Sequence, residues 1–173
     1  MSFWNTNAME PLRQFRWYFL FGNPSLDNIQ YALKKCDKPK MKVNSIQHKY
    51  MNHFYNFPGR VEWEDINVTF AGVTDPNAAS ILFDVLKNSG YEYPASPTNR
   101  KTLSKSGFVS NLSSDGVIIY QVDPAGTVVD GWKLINPFFT SVQFGTLDYS
   151  SEEIVEVTCV LKYDAAEYKA STF

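Results

Sequence analysis

The two histidines, the two cysteines and one pair of carboxylates are the first candidates for chemistry: His48, His53, Cys36, Cys159, Glu62 and Glu64. Each pairing among them points away from a reaction centre. His48 and His53 are five residues apart in an extended run, which places them on opposite faces of a single strand and is poor geometry for one metal ion. Cys36 and Cys159 belong to no C-x-x-C and have no spaced histidine pair beside them, so no zinc site is expected. They read as two free thiols in strands, with a disulfide as the lesser alternative. Glu62 and Glu64 share a strand face, as acid–base carboxylates would, but a solvated or salt-bridged face explains them more simply. There is no glycine-rich phosphate loop, no G-x-S-x-G and no H-E-x-x-H. The expectation is a protein without catalytic residues, cofactor or metal, and the question becomes what its scaffold builds.

At 173 residues with 44 % hydrophobic content, the chain has enough material for one domain with a real core. Aromatic residues make up 16 %, mostly Phe and Tyr, as strand-rich proteins favour. A net charge of −2 argues against a dedicated nucleic-acid binder. No apolar run approaches the roughly 20 residues that span a membrane, and Phe15–Phe21 contains Arg16 and lacks the shape of a signal peptide. A reducing cytosol is the expected site of synthesis.

The elements that must position any function are mainly strands. Met1–Pro11 shows no periodicity and reads as an arm. Phe15, Trp17, Phe19 and Phe21 alternate with polar or smaller positions and predict a first strand, closed by Gly22-Asn-Pro-Ser25. Ile29–Cys36 predicts a second. Lys40–Tyr55 and Arg60–Gly72 flank Asn56-Phe-Pro-Gly59 and read as a long hairpin over 40–72. Arms of this length reach on the order of 40 Å, against a radius of gyration of about 15 Å for such a domain, so the tip must leave the body or fold across it. The apolar parity changes in both arms, near Asn44–Ser45 and Glu64–Asp65, which predicts a bulge or twist in each. The base of the hairpin is expected in the body sheet and its distal part in a projection.

Asp75–Gly90 reads as a helix, capped by Asp75, with Pro76 in its first turn, Gly90 at its exit and a stripe of Ala78, Ile81, Leu82, Val85 and Leu86. Tyr91–Asp115 is rich in Pro, Ser and Asn and reads as an irregular excursion. Gly116–Tyr168 closes the fold with three β-type runs joined by turns at Asp123-Pro-Ala-Gly126 and Leu147–Ser151. In the last run Val155, Val157, Cys159, Leu161 and Tyr163 point one way and Glu156, Thr158 and Lys162 the other. The predicted class is mainly β (α+β): a single-domain sandwich or barrel of antiparallel sheets with one flanking helix and a projecting hairpin.

Charge is unevenly placed. Seven basic residues and one acid lie between Lys34 and Arg60, whereas six acids and one base lie between Phe144 and Glu167. Two solvated faces of one molecule would account for this. A subunit with complementary ends would as well, and such head-to-tail contacts build rings or filaments. On that reading Asp148, Glu152, Glu153 and Glu156, with Arg100, Lys101 and Lys105, are the expected contacts between subunits or rings.

Lys49-Tyr-Met-Asn-His53, the segment Gly59–Phe70 (GRVEWEDINVTF), the helix that follows, Gly131-Trp-Lys-Leu134 and Leu147-Asp-Tyr149 together resemble the tail tube proteins of contractile-tailed bacteriophages. The resemblance covers most of the chain except Met1–Pro11 and Tyr91–Asp115. It implies hexameric rings whose hairpins merge into an inner β-barrel, stacked into a tube in the virion tail and assembled in the host cytoplasm. The implied partners are further copies of the chain, a sheath outside, baseplate and terminator proteins at the ends, and phage DNA passing through the lumen without sequence-specific binding or a membrane anchor. Carried over by position, Lys42–Phe57 and Arg60–Ile66 would form the lumen hairpin, with Asn44, Ile46, Gln47, His48, Lys49, Tyr50, Asn52, His53, Arg60 and Glu62 lining it. Bores of this family tend to be acidic or weakly charged. This hairpin carries lysines, so either they turn outward to acidic neighbours or this bore is less negative than usual; Lys42 and Lys49 have opposite parity, which favours the former. The alternatives are a tube initiator or terminator ring, or the tube of a related injection or secretion system. An enzyme, or a carbohydrate-binding sandwich using Trp4, Trp63 or Trp132 in an exposed cleft, carries the least weight.

Overall fold

The computed structural model describes residues 11–95, 100–113 and 115–173; the expected arm lies almost wholly outside them. Among the described residues, ten strands form two four-stranded antiparallel sheets and a separate two-stranded ribbon. The first sheet has the order β1 (Trp17–Leu20), β6 (Val117–Val122), β7 (Val128–Ile135), β10 (Ala165–Lys169). The second has the order β2 (Leu33–Cys36), β5 (Ile66–Ala71), β9 (Glu156–Lys162), β8 (Phe138–Gln143). One core lies between them. Phe19, Val117, Ile119 and Leu134 enter it from the first sheet, and Ile66, Val68, Phe70, Cys159 and Leu161 from the second. The mainly β class with flanking helical structure is as the alternation requires.

Strand β9 keeps its predicted phase, with Val157, Cys159, Leu161 and Tyr163 buried and Glu156 and Lys162 exposed. The turn after β6 also follows its sequence. The Gly126 amide donates to the Asp123 carbonyl at 3.1 Å, the Asp123 carboxylate accepts from Ala125 and Thr127, and Gly126 takes the left-handed φ of 84° that its position favours.

The closing segment contains five strands rather than three runs, because the chain changes sheet twice. It leaves β7 for β8 at Asn136 (φ 52°) and Pro137, and leaves β9 for β10 at Tyr163–Asp164. The two crossings lie side by side. The Asp164 amide donates to the Ile135 carbonyl at 3.0 Å, and its carboxylate accepts from Asn136 Nδ2 at 2.9 Å and from Lys105 Nζ at 2.6 Å.

Four further expectations are corrected. The first strand is shorter than its alternation, and Phe15 is exposed. The predicted strand Ile29–Cys36 begins only at Leu33; Pro24–Ala32 is a 3-10 helix. Among its described side chains Leu26, Ile29 and Ala32 are buried, three apart, which is the repeat of a 3-10 helix and not of a strand. The main helix, α1, runs Ala78–Asn88 and is capped by Asn77, whose side chain accepts from the Ala79 and Ser80 amides. Asp75 and Pro76 precede it. Its stripe holds, with Ala78, Leu82 and Val85 buried. The excursion contains a second helix, α2 (Lys105–Leu112), capped by Ser104 and anchored by Phe108 and Leu112 four residues apart. Helix α2 packs on α1 and β8.

Candidate functional site: a two-faced hairpin

Strands β3 (Lys40–Tyr50) and β4 (His53–Glu64) pair along their whole length as the two-stranded ribbon. Neither belongs to a body sheet, so the expected base within the body is corrected: only β5, after the break at Asp65, enters one. At about 3.3 Å per residue the ribbon is on the order of 35 Å long, and every residue from Ser45 to Pro58 is exposed.

The reversal lies at Met51-Asn52 and not at Asn56–Gly59. Tyr50 pairs with His53, and Met51 has a φ of 47°, as the first position of a II′ hairpin turn requires. Pro58 lies inside β4 opposite Ser45, tolerated because a two-stranded ribbon has only edge strands. The register does shift beside Asn44, but on the return arm and not the outgoing one. The pairs Val43–Val61 and Ser45–Pro58 leave Asn44 facing two residues, Gly59 and Arg60. The extra residue is on β4, a bulge.

This register sorts the side chains. On one distal face stand Ile46, His48, Tyr50, His53, Tyr55 and Phe57; on the other stand Ser45, Gln47, Lys49, Phe54, Asn56 and Pro58. His48 and His53 therefore share a face, contrary to the single-strand reading, because the turn falls between them; His53 stacks edge-on against Tyr55 at 4.8 Å. Lys49 lies over Phe54 on the other side. Near the body, Met41 and Val43 oppose Trp63 and Val61, whereas Lys40 and Lys42 oppose Glu64 and Glu62. Lys40 meets Glu64 at 2.7 Å, and Asn44 donates to Glu62 at 2.8 Å. The Glu62–Glu64 face is thus a charge-paired strand surface. The apolar side changes face at the bulge, so the distal ribbon offers one apolar–aromatic face and one mostly polar face.

The ten expected lumen residues fall on both sides. Ile46, His48, Tyr50 and His53 lie on the aromatic face and Gln47 and Lys49 on the polar one. Asn52 is in the turn, Arg60 in the bulge, and Asn44 and Glu62 are bonded to each other. Lys42 and Lys49 do lie on opposite faces.

The base of the ribbon is fixed to both sheets. Trp63 packs against Tyr163 at 6.0 Å. Lys38, just before β3, donates to Gln121 at 2.7 Å and pairs with the mostly buried carboxylate of Asp130 on β7. Asp37 accepts from Asn67 Nδ2 at 2.9 Å, and Lys162 approaches Asp65 at 3.6 Å. These contacts come from four strands, and no sequence period announces them.

The complementary charges are partly consumed inside the subunit. Lys34, from the basic stretch, pairs with Glu156 from the acidic one, which raises the lysine's pKa. Lys105 is held by Asp164, and Lys101 approaches Glu92 at 3.5 Å. Asp148 accepts from the Ser150 amide and hydroxyl, which hold its carboxyl below the usual range. Glu152 and Glu153 remain exposed on the Phe144–Val155 loop. Trp63 and Trp132 are half-buried and packed on the core, not displayed in a cleft, and Trp4 lies outside the described residues. Among the described residues no group of three or more His, Cys, Asp or Glu is placed to hold a metal.

No protein-family model matches the chain, and neither does any curated protein. Solved structures do. A chain in the cryo-EM structure of the anti-feeding prophage cap, its tube-terminating cap, superposes with a TM-score of 0.67 at 16 % identity, over 99 % of this chain and 100 % of that one. A chain from the sheath/tube terminator of an extracellular contractile injection system, PVC, in the extended state gives 0.67 at 16 % over 94 % and 99 %. A chain from the sheath–tube complex of the same system gives 0.66 at 16 % over 94 % of each chain. The fold of the whole chain is therefore one found in the tube and cap assemblies of contractile injection particles.

Proposed function

We propose that the protein is a structural, non-catalytic subunit of the tube of a contractile tail or tail-like injection particle, and that its β3–β4 ribbon joins those of neighbouring copies in a ring to wall a central channel. The observation that carries this is the ribbon itself. It has two unpaired backbone edges and an exposed aromatic face on a segment too long to pack on its own body, and such surfaces are liabilities until a partner covers them. A copy of the same ribbon supplies strand edges of matching length. The polar face, with Ser45, Gln47, Lys49 and Asn56, then lines the channel, and the face with Ile46, Tyr50, Tyr55 and Phe57 packs outward. A sheath surrounds the tube, with baseplate and terminator proteins at its ends. The channel passes DNA in a phage tail, as the sequence resemblance implies, or protein in an injection system like those whose chains share the fold.

Electron microscopy of the concentrated protein tests this, with Ile46→Asp/Tyr55→Asp as the control. Rings or tubes that vanish in the double variant while its unfolding curve is preserved support the reading. Monodisperse monomers, even with baseplate or terminator proteins supplied, would overturn it. The cap and terminator comparisons also favour a second reading, an end ring that does not polymerise alone; one ring's worth of copies per particle, rather than many, separates it from the tube wall.

A further inference from the structure

A groove of about 540 Å³ opens between α1, α2 and β8, away from the ribbon. Phe83, Leu86, Leu103, Phe108, Phe138 and Phe144 line it, and three of these (Phe83, Leu103 and Phe144) are 39–48 % exposed in the single chain. Lys87 stands at its rim with its ammonium over the Phe83 ring at 4.9 Å. The volume is that of a site for a compact apolar group.

The same chain displays a matching element. The loop Phe144–Val155 joins β8 to β9, and its apolar residues point outward: Leu147, Tyr149 and Ile154 are 86 %, 112 % and 69 % exposed. It is a built turn. The Ser151 amide donates to the Asp148 carbonyl at 3.3 Å, Ser150 donates twice to the Asp148 carboxylate, and the Glu153 amide donates to Ser151 Oγ. With Asp148 occupied inside the turn and Glu153 near enough to Lys34 of its own chain to help raise that lysine's pKa, Glu152 is the charge left to face a partner. The loop is apolar with Glu152 at its shoulder; the groove is apolar, its lining Lys105 already paired with Asp164, and Lys87 stands beside it over Phe83.

We infer that the Leu147–Ile154 loop of one copy seats in the α1–α2–β8 groove of the next, with Tyr149 and Leu147 in the groove and Glu152 toward Lys87. The occupant is a second copy of this chain because charge and apolarity match across the two surfaces and no other described loop displays three large apolar side chains so openly. About six residues out from Phe144, the loop tip reaches on the order of 20 Å, enough to cross a subunit boundary. A pocket on one copy filled by a different patch of the next is a heterologous contact, the kind that propagates around a ring or along a tube. The inference rests on the tube reading above and supplies a contact independent of the ribbon.

The test is a cysteine pair, Tyr149→Cys with Phe83→Cys, treated with a short bismaleimide at assembly concentration; Cys159 is buried in the core and Cys36 is half-buried against it, and the single variants measure their background. A ladder of cross-linked oligomers in the double variant and in neither single variant is expected, together with at least a tenfold loss of assembled material in Leu147→Asp. Rings or tubes with no ladder, or normal assembly by Leu147→Asp, would overturn the loop contact and leave the tube reading standing, with another protein as the groove's occupant. A ladder without rings or tubes would support the contact and count against the tube. Neither ladder nor assembly would overturn both.

Discussion

Gly59 lies directly against Asn44 across the ribbon: a Cβ at position 59 would stand 2.9 Å from the Asn44 carbonyl oxygen. This contact is the bulge at which the apolar side of the hairpin changes face, so the glycine lets one ribbon be apolar on one side near the body and on the other side near the tip. Gly59→Val forces the backbone apart there. Because the ribbon shares no sheet with the body, the expected cost to global stability is small, about 1 kcal/mol or less, whereas ring or tube formation is lost. Denaturant unfolding by tryptophan fluorescence, beside electron microscopy, checks both; a loss above about 3 kcal/mol would show that ribbon and body unfold as one unit.

The opposite pattern is expected at Phe70. It is fully buried near the end of β5, in a strand central to the second sheet, stacked on Phe21 at 6.3 Å and flanked by Leu33 and Val157 on the neighbouring strands. Phe70→Ala should cost about 3–5 kcal/mol, a large share of the 5–15 kcal/mol typical of a domain. A urea midpoint unchanged within error would contradict the placement of the core.

The two thiols should be chemically silent in the native protein. Cys36, Val68 and Cys159 occupy one row across β2, β5 and β9, two strand spacings or about 9.5 Å from thiol-bearing strand to thiol-bearing strand, too far for a disulfide. Burial pushes the Cys159 thiol up to about 12, and burial with the charge of Asp37 raises Cys36. At pH 8 a disulfide reagent should titrate neither thiol in the folded state and both in denaturant. Because the folded pKa values are raised, the protonated thiols favour the fold fully below the unfolded thiol value of about 8.5, and that contribution fades as pH climbs from there. Rapid native labelling would show the second sheet to be open.

Asp164 joins the two sheet crossings, and its hydrogen bonds from Lys105 and Asn136 hold its carboxyl below the usual range. Its folded pKa is depressed, so its contribution is present above about pH 4 and is lost as pH falls through the folded value. The carboxylate is half exposed, which limits the effect of Asp164→Asn at neutral pH to about 0.5–1 kcal/mol. The variant and the parent should converge in stability as pH falls below the folded-state value of Asp164. A gap that persists there would mean the carboxylate acts through something other than its charge.

Much of this protein is written in local sequence. The inward row Val157, Cys159, Leu161 and Tyr163, the stripe of α1, the turn at Asp123–Gly126 and the phase break beside Asn44 each depend on the spacing of residues close in the chain, and the structure keeps the first three and sets the break on the facing strand. Even the 3-10 helix was legible in the three-residue spacing of Leu26, Ile29 and Ala32, and α2 in Ser104 followed by Phe108 and Leu112. Other features depend on residues far apart. Asn56–Gly59 has the composition of a turn, yet the chain reverses at Met51-Asn52 because strand register sets which residues face each other, and register is decided by the whole pairing. That shift brings His48 and His53 onto one face. The crossings at Asn136–Pro137 and Tyr163–Asp164 follow from which sheet has an edge to offer, and the ribbon's base is set by Lys38, Asp130, Trp63 and Tyr163, drawn from distant parts of the chain. Periodicity reports which way a side chain points along its own strand; only the assembled sheets decide what it meets.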